Sequence, residues 1–195
     1  VGLMPREVAG EKGWEKDVDD GDLMVIAGGR VGRDGVHGVT ESSLEFGEGI
    51  TSGHVQIGDP YTQKKVQDFI LEARDEGLFK LVWDLGGGGL SSAVGETAQF
   101  SNGCILDLKK APLKYEGLQP WEILVSESQE RMLLGLEPSK LSRLDRIAEK
   151  HDVEITTMGR FTDSGYFQVN YGDEIVAYLD LDFLLDLRLH LDRDF

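Results

Sequence analysis

The sequence predicts an α/β layered domain with a mixed β-sheet packed by helices, and three observations lead there. Short apolar runs closed by glycine alternate with segments of helical periodicity along most of the chain, which is the pattern of layered α/β folds. Near the end, Gly172-Asp173 separates two extended segments at the two-residue spacing of a hairpin, so the sheet is mixed rather than purely parallel. The chain has 195 residues, of which 40% are hydrophobic, enough to bury one compact core.

Residues 1–20 are mixed and charged, with Pro5, Gly10 and Gly13 as breakers, and read as a leading strand or linker. Residues 23–27 form a continuous apolar run stopped by Gly28 and Gly29, as in a strand covered on both faces. A glycine-rich loop follows, and residues 42–53 stay polar and irregular. Asp59-Pro60 is an N-cap with proline at the first helical position, and Gly77 is a stop; between them Val66, Phe69, Ile70 and Ala73 share one helical face. Residues 79–85 read as a buried strand, Gly86-Gly87-Gly88-Gly89 as a tight connection, and residues 90–100 as a second helix with Ser91 or Ser92 near its start. Residues 123–125 are read as another short strand, and Pro138 opens a helix in which Leu141, Leu144, Ile147 and Ala148 share a face. A strand begins at Val153, and residues 166–171 and 174–179 flank the hairpin turn. The leucine-rich residues 180–195 fit helix and strand equally well.

Charge and composition exclude several classes. Lys and Arg number 20 against 36 Asp and Glu, a formal charge of -16 that would repel a phosphate backbone, so nucleic acid is not an expected partner. A small phosphorylated ligand remains compatible, because a few backbone amides at a helix start can hold one against the net field. Cys104 is the one cysteine, which rules out an internal disulfide and fits a cytoplasmic setting, and a buried apolar role suits it. His37, His54, His151 and His190 lack zinc-site spacing. No apolar run reaches the roughly 20 residues of a membrane span.

Three constellations could carry chemistry. In Trp83-Asp84-Leu85-Gly86-Gly87-Gly88-Gly89-Leu90-Ser91-Ser92, a carboxylate ends a buried strand just before amides that open a helix; such amides favour phosphate, and the aspartate can hold a magnesium ion bridging phosphate oxygens. The run lacks the lysine and Ser/Thr of a P-loop, and glycine runs after strands more often serve only as tight turns. Ser126-Glu127-Ser128-Gln129-Glu130-Arg131-Met132 is a run of polar groups that either a polar ligand or a solvated turn would satisfy. The loop Gly32-Arg33-Asp34-Gly35-Val36-His37-Gly38, with Ser42, Ser43 and Gln56 further on, offers His37 as a titrating group, although a loop histidine is commonly only solvated.

Together with Val55-Gln56-Ile57-Gly58-Asp59-Pro60, these stretches resemble, in order, the phosphoribosylformylglycinamidine synthase family of the aminoimidazole ribonucleotide synthetase superfamily, in its first carboxy-terminal-type domain. The Ser-Glu-Ser-Gln-Glu-Arg run is the most specific. Trp83, Gly87 and Glu41 depart from the family pattern without removing a functional group. The resemblance implies an ATP-dependent ligase that activates the amide oxygen of formylglycinamide ribonucleotide as a phosphoryl ester, which ammonia displaces to give the amidine. It implies substrate binding by Gln56, Glu127, Ser128 and Gln129, and Mg2+ binding by Asp84. ATP would be bound by a preceding half-domain, ammonia would come from a glutaminase domain or subunit, and no membrane is involved. On this reading residues 1–20 link from a missing ATP-binding half, residues 21–181 are the synthetase domain, and residues 182–195 lead to a missing second half, so that the chain alone is inactive. Another ATP-using member of the superfamily, such as an aminoimidazole ribonucleotide or selenophosphate synthetase, and a non-catalytic scaffold are the alternatives.

Overall fold

The structure, a computed structural model, describes residues 7–8, 11–12, 16–36 and 58–185. Two short strands, β1 (Glu7–Val8) and β2 (Glu11–Lys12), pair antiparallel with each other. The main sheet has seven strands: β3 (Leu23–Gly28), β4 (Leu81–Asp84), β5 (Cys104–Asp107), β6 (Arg131–Leu136), β7 (Ile155–Phe161), β8 (Tyr166–Tyr171) and β9 (Glu174–Asp180). Their order is β4-β6-β3-β7-β5-β8-β9, with β5 and β8 parallel and every other neighbouring pair antiparallel. The sheet is therefore mixed, as the sequence predicts, though mostly antiparallel.

Helices cover both faces, and the alternation of side chains along the strands assigns each face. Met24 and Ile26 of β3 and Leu133 of β6 pack with Leu90, Val94 and Ala98 of α2 (Gly89–Ala98), and with Ile123 of α3 (Pro120–Val125). Val25 and Ala27, with Leu134 and Leu136, pack on the opposite face against Phe69 and Ala73 of α1 (Pro60–Asp75) and Leu144 and Ile147 of α4 (Leu141–His151). Burying a Phe, Leu or Ile side chain contributes roughly 1.5–3 kcal/mol, so these two layers outweigh local propensity in fixing the sheet. A short helix, α5 (Leu181–Leu185), follows β9, and residues 186–195 lie outside the described residues.

α1 forms where the sequence places it. The Asp59 side chain accepts from Tyr61 N–H at 3.0 Å and from the Thr62 hydroxyl at 2.6 Å, and Gly77 stops the helix at φ +63°. The hairpin turns at Gly172-Asp173 as expected, with Gly172 at φ +65°. One reading needs correction, and two strands were not assigned. Residues 123–125 are not a strand but the end of α3, which Pro120 opens and in which Glu122 accepts from Gln119 N–H at 2.7 Å. The run after the polar stretch, Arg131–Leu136, is a strand that the sequence reading did not assign, and it lies one strand in from the edge of the sheet, between β4 and β3. Cys104–Asp107, also unassigned, is the strand β5.

Candidate functional site

Antiparallel pairing brings three of the sequence motifs to one end of the sheet. Gly28, the last residue of β3, sits opposite Arg131, the first of β6, while Asp84 at the end of β4 sits opposite Met132. The loop after β3, the glycine run after β4 and the turn before β6 therefore emerge side by side. Direct contacts then join them.

Ser128 is the pin of this arrangement. It is fully buried; its hydroxyl accepts from Gly32 N–H at 2.9 Å, donates to the Asp34 carboxylate, and lies 3.1 Å from the Ser126 hydroxyl. Asp34 also accepts from Lys114 Nζ at 2.6 Å. Burial pushes the Asp34 carboxyl up, but the bonds from Lys114 and Ser128 and the nearby Arg131 charge outweigh it and hold the carboxyl below its usual range. Glu127 ties the turn to the other two motifs: its N–H donates to Asp34 O at 2.8 Å, and its Oε1 accepts from Gly88 N–H, at the start of α2, at 3.1 Å. One of the amides at this helix start, where a phosphate is expected, thus holds a protein carboxylate, placed where the helix dipole favours negative charge. Gly35, at φ +67°, makes room for it, because a Cβ there would lie 2.7 Å from Glu127 Cβ. Gly89, at φ +56°, does the same for the backbone, since a Cβ would lie 2.1 Å from Ser126 O.

Arg131 grips the turn from below. Its Nε donates to Ser128 O and its Nη2 to Ser126 O, both at 2.6 Å, while Nη1 has no hydrogen-bond partner among the described residues. Burial pushes the guanidinium down to about 10, which leaves it charged at neutral pH. Glu130 reaches the fourth motif: its Oε1 accepts from Asp59 N–H at 3.0 Å, at the head of α1.

The predicted site residues divide as follows. Glu127, Ser128 and Gln129 lie on one turn; Gln129 is exposed, with Nε2 donating to Glu127 O at 3.2 Å, while the Ser128 hydroxyl is wholly engaged within the protein. Asp84 and Gln129 line one cleft of about 460 Å3, walled on the other side by Gln63, Gln67 and Leu71 of α1. Trp83 lies on a neighbouring cleft of about 440 Å3, where Lys16 Nζ stands 3.7 Å from its ring centroid. Gln56 lies outside the described residues. Asp34, Glu130 and Arg131 are members that sequence reasoning did not assign a role; all three stand inside motifs it had quoted.

The Asp84 carboxylate is exposed and, among the described residues, accepts no hydrogen bond. Carboxylate oxygen suits Mg2+, which is commonly bound through one or two carboxylates plus ligand phosphates. No group of three or more potential metal-binding side chains exists among the described residues.

Comparison with known proteins agrees with the geometry. The sequence model described as AIR synthase related protein, C-terminal domain, matches residues 19–172. The phosphoribosylformylglycinamidine synthase subunit PurL of Methanopyrus kandleri is 42% identical over 170 residues, covering 85% of this chain and 24% of that protein. The same subunit of Ignicoccus hospitalis is 43% identical over 169 residues, with coverage of 85% and 24%. Among solved structures, Thermotoga maritima PurL complexed with FGAR superposes with a TM-score of 0.77 at 37% identity, covering 87% of this chain and 28% of that one. Escherichia coli HypE, a hydrogenase maturation protein, shares the fold at a TM-score of 0.60 and 17% identity, with coverage of 83% and 50%. The chain thus spans about a quarter of the length of its PurL relatives. With three motifs joined at one sheet end, Asp59 of the fourth bonded to the same turn and the family match covering residues 19–172, the chain belongs to the AIR synthase related proteins, as their C-terminal domain.

Proposed function

We propose that this chain supplies one wall of the active site of a phosphoribosylformylglycinamidine synthase, a ligase of purine biosynthesis. In that reaction the amide oxygen of formylglycinamide ribonucleotide attacks the γ-phosphorus of ATP and ADP leaves; ammonia then adds to the activated carbon and phosphate departs, giving the amidine. The observation that carries the reading is the joining of the turn bearing Glu127 and Gln129 to the glycine run, to the Gly32–Gly35 loop and to the head of α1, through Gly88, Gly32 and Asp59 N–H groups. Such a rigid polar platform suits a substrate that must be held in one orientation while two reagents reach it in turn. Glu127 and Gln129 contact the substrate, Ser128 contributes by fixing the turn, and Gln56, which lies outside the described residues, is assigned to the substrate by its motif alone.

Asp84 is the residue that would hold Mg2+, whose charge would offset that of the transferring phosphoryl oxygens. ATP is held by another part of the ligase, and the ammonia comes from glutamine through a glutaminase domain or subunit. Residues 21–181 form the domain, and the enzyme works in the cytoplasm. The relatives' names and the FGAR and ATP complexes of Thermotoga maritima PurL support this assignment. In the full-length ligase, Asp84→Asn keeps the shape of the site and removes the charge, so turnover should fall about tenfold or more, with a higher magnesium requirement. Near-normal turnover with an unchanged magnesium requirement would remove Asp84 from the site.

A further inference from the structure

Glu130 stands apart from its neighbours in the turn. Its backbone lies at φ +54°, a region that residues other than glycine rarely enter, and such strain persists only where surrounding contacts impose it. Two contacts do so. The Glu130 carbonyl accepts from Gly29 N–H at 2.9 Å, which fixes the turn to the end of β3, and the carboxylate accepts from Asp59 N–H at 3.0 Å, which fixes the same turn to the head of α1. The helix does not need this bond to form, since the Asp59 side chain already caps it and Pro60 already opens it. Nor does Glu130 belong to either hydrophobic cluster. What the bond settles is where α1 lies relative to the turn.

That placement bears on the cleft. Gln63 and Gln67 project from the first two turns of α1 onto one wall, and Gln129 and Asp84 stand on the other, with Glu130 at the junction of the two. We propose that Glu130 is a positioning residue for the substrate site: by holding Asp59 N–H it sets the separation of α1 from the turn, and so the width of the cleft into which Gln129 and Asp84 face. The role rests on the functional reading above, in which Gln129, on the wall of this cleft, contacts formylglycinamide ribonucleotide.

The test uses the full-length ligase with Glu130→Gly and Glu130→Gln. Glycine suits φ +54° better than glutamate, so Glu130→Gly removes the link without adding backbone strain. Glutamine keeps a carbonyl oxygen able to accept from Asp59 N–H. The expected result is that Glu130→Gly raises the KM for formylglycinamide ribonucleotide about tenfold or more, with the KM for ATP and the melting temperature nearly unchanged, and that Glu130→Gln restores the substrate KM to within about threefold of wild type. An unchanged substrate KM in Glu130→Gly would overturn the proposal, as would a Glu130→Gln variant as impaired as Glu130→Gly. A general loss of stability that lowers kcat alone would mark Glu130 as structural and overturn it too. Gln129→Ala serves as control: if it raises the substrate KM while Glu130→Gly does not, only the positioning role fails, and if neither variant moves it, the substrate assignment fails and this proposal with it.

Discussion

Replacing Ser128 by alanine tests whether its hydroxyl pins the platform. The change removes one oxygen from a fully buried position and leaves the shape almost intact, so packing is a minor part of the effect. Gly32 N–H, itself buried, loses its acceptor at 2.9 Å, and leaving such a donor unsatisfied costs about 1–3 kcal/mol. Asp34 loses one donor and keeps Lys114, which limits the further cost. We expect a loss of about 2–3 kcal/mol in urea unfolding, and for a chain of this size a melting temperature lower by about 4–12 °C. Gln129→Ala, at an exposed position on the same turn, should cost less than about 0.5 kcal/mol. A Ser128→Ala stability within about 0.5 kcal/mol of wild type would refute the reasoning, because the hydroxyl would then be replaceable by water or by backbone adjustment.

Two further outcomes follow from the same geometry. Gly89→Ala places a Cβ 2.1 Å from Ser126 O in a left-handed backbone, and should destabilise the chain by about 2 kcal/mol or more; wild-type urea stability would show that the turn and α2 are not held this closely. Burial pushes the Cys104 thiol up to about 12, so iodoacetamide at pH 8 should alkylate the native chain at least about a thousandfold more slowly than a free thiol, and rapid native labelling would contradict the burial of β5.

Much of the fold was legible wherever local chemistry decides it. Asp59-Pro60 and Gly77 bracket α1, and Gly172-Asp173 sets the hairpin, because capping and turn geometry act within a few residues. β6 was missed although Met132-Leu133-Leu134-Gly135-Leu136 is an apolar run, since Arg131 belonged to the polar motif and both faces of the strand are covered, which removes the alternation that marks half-buried strands. Residues 123–125 look extended in isolation; Gln119-Pro120 with Glu122 was the available sign of a helix start. For the site, the motifs were visible but their joining was not. Nothing local to Glu127 points to Gly88, or local to Glu130 to Asp59; both contacts exist because β6 returns between β3 and β4. The burial of Ser128 was hidden for the same reason, so a residue that reads as one of several polar groups turns out to be the structural centre of the turn.

The central claim, that the Glu127–Gln129 turn is a binding surface for the ribonucleotide substrate, is tested most directly by equilibrium binding without turnover. Formylglycinamide ribonucleotide is titrated calorimetrically into the full-length ligase, as wild type and as Glu127→Gln with Gln129→Ala, in the absence of ATP. The account predicts affinity weaker by about tenfold or more, as expected when hydrogen bonds to a polar ligand are lost, with binding of a non-hydrolysable ATP analogue unchanged. Wild-type affinity for formylglycinamide ribonucleotide in the double variant would contradict it.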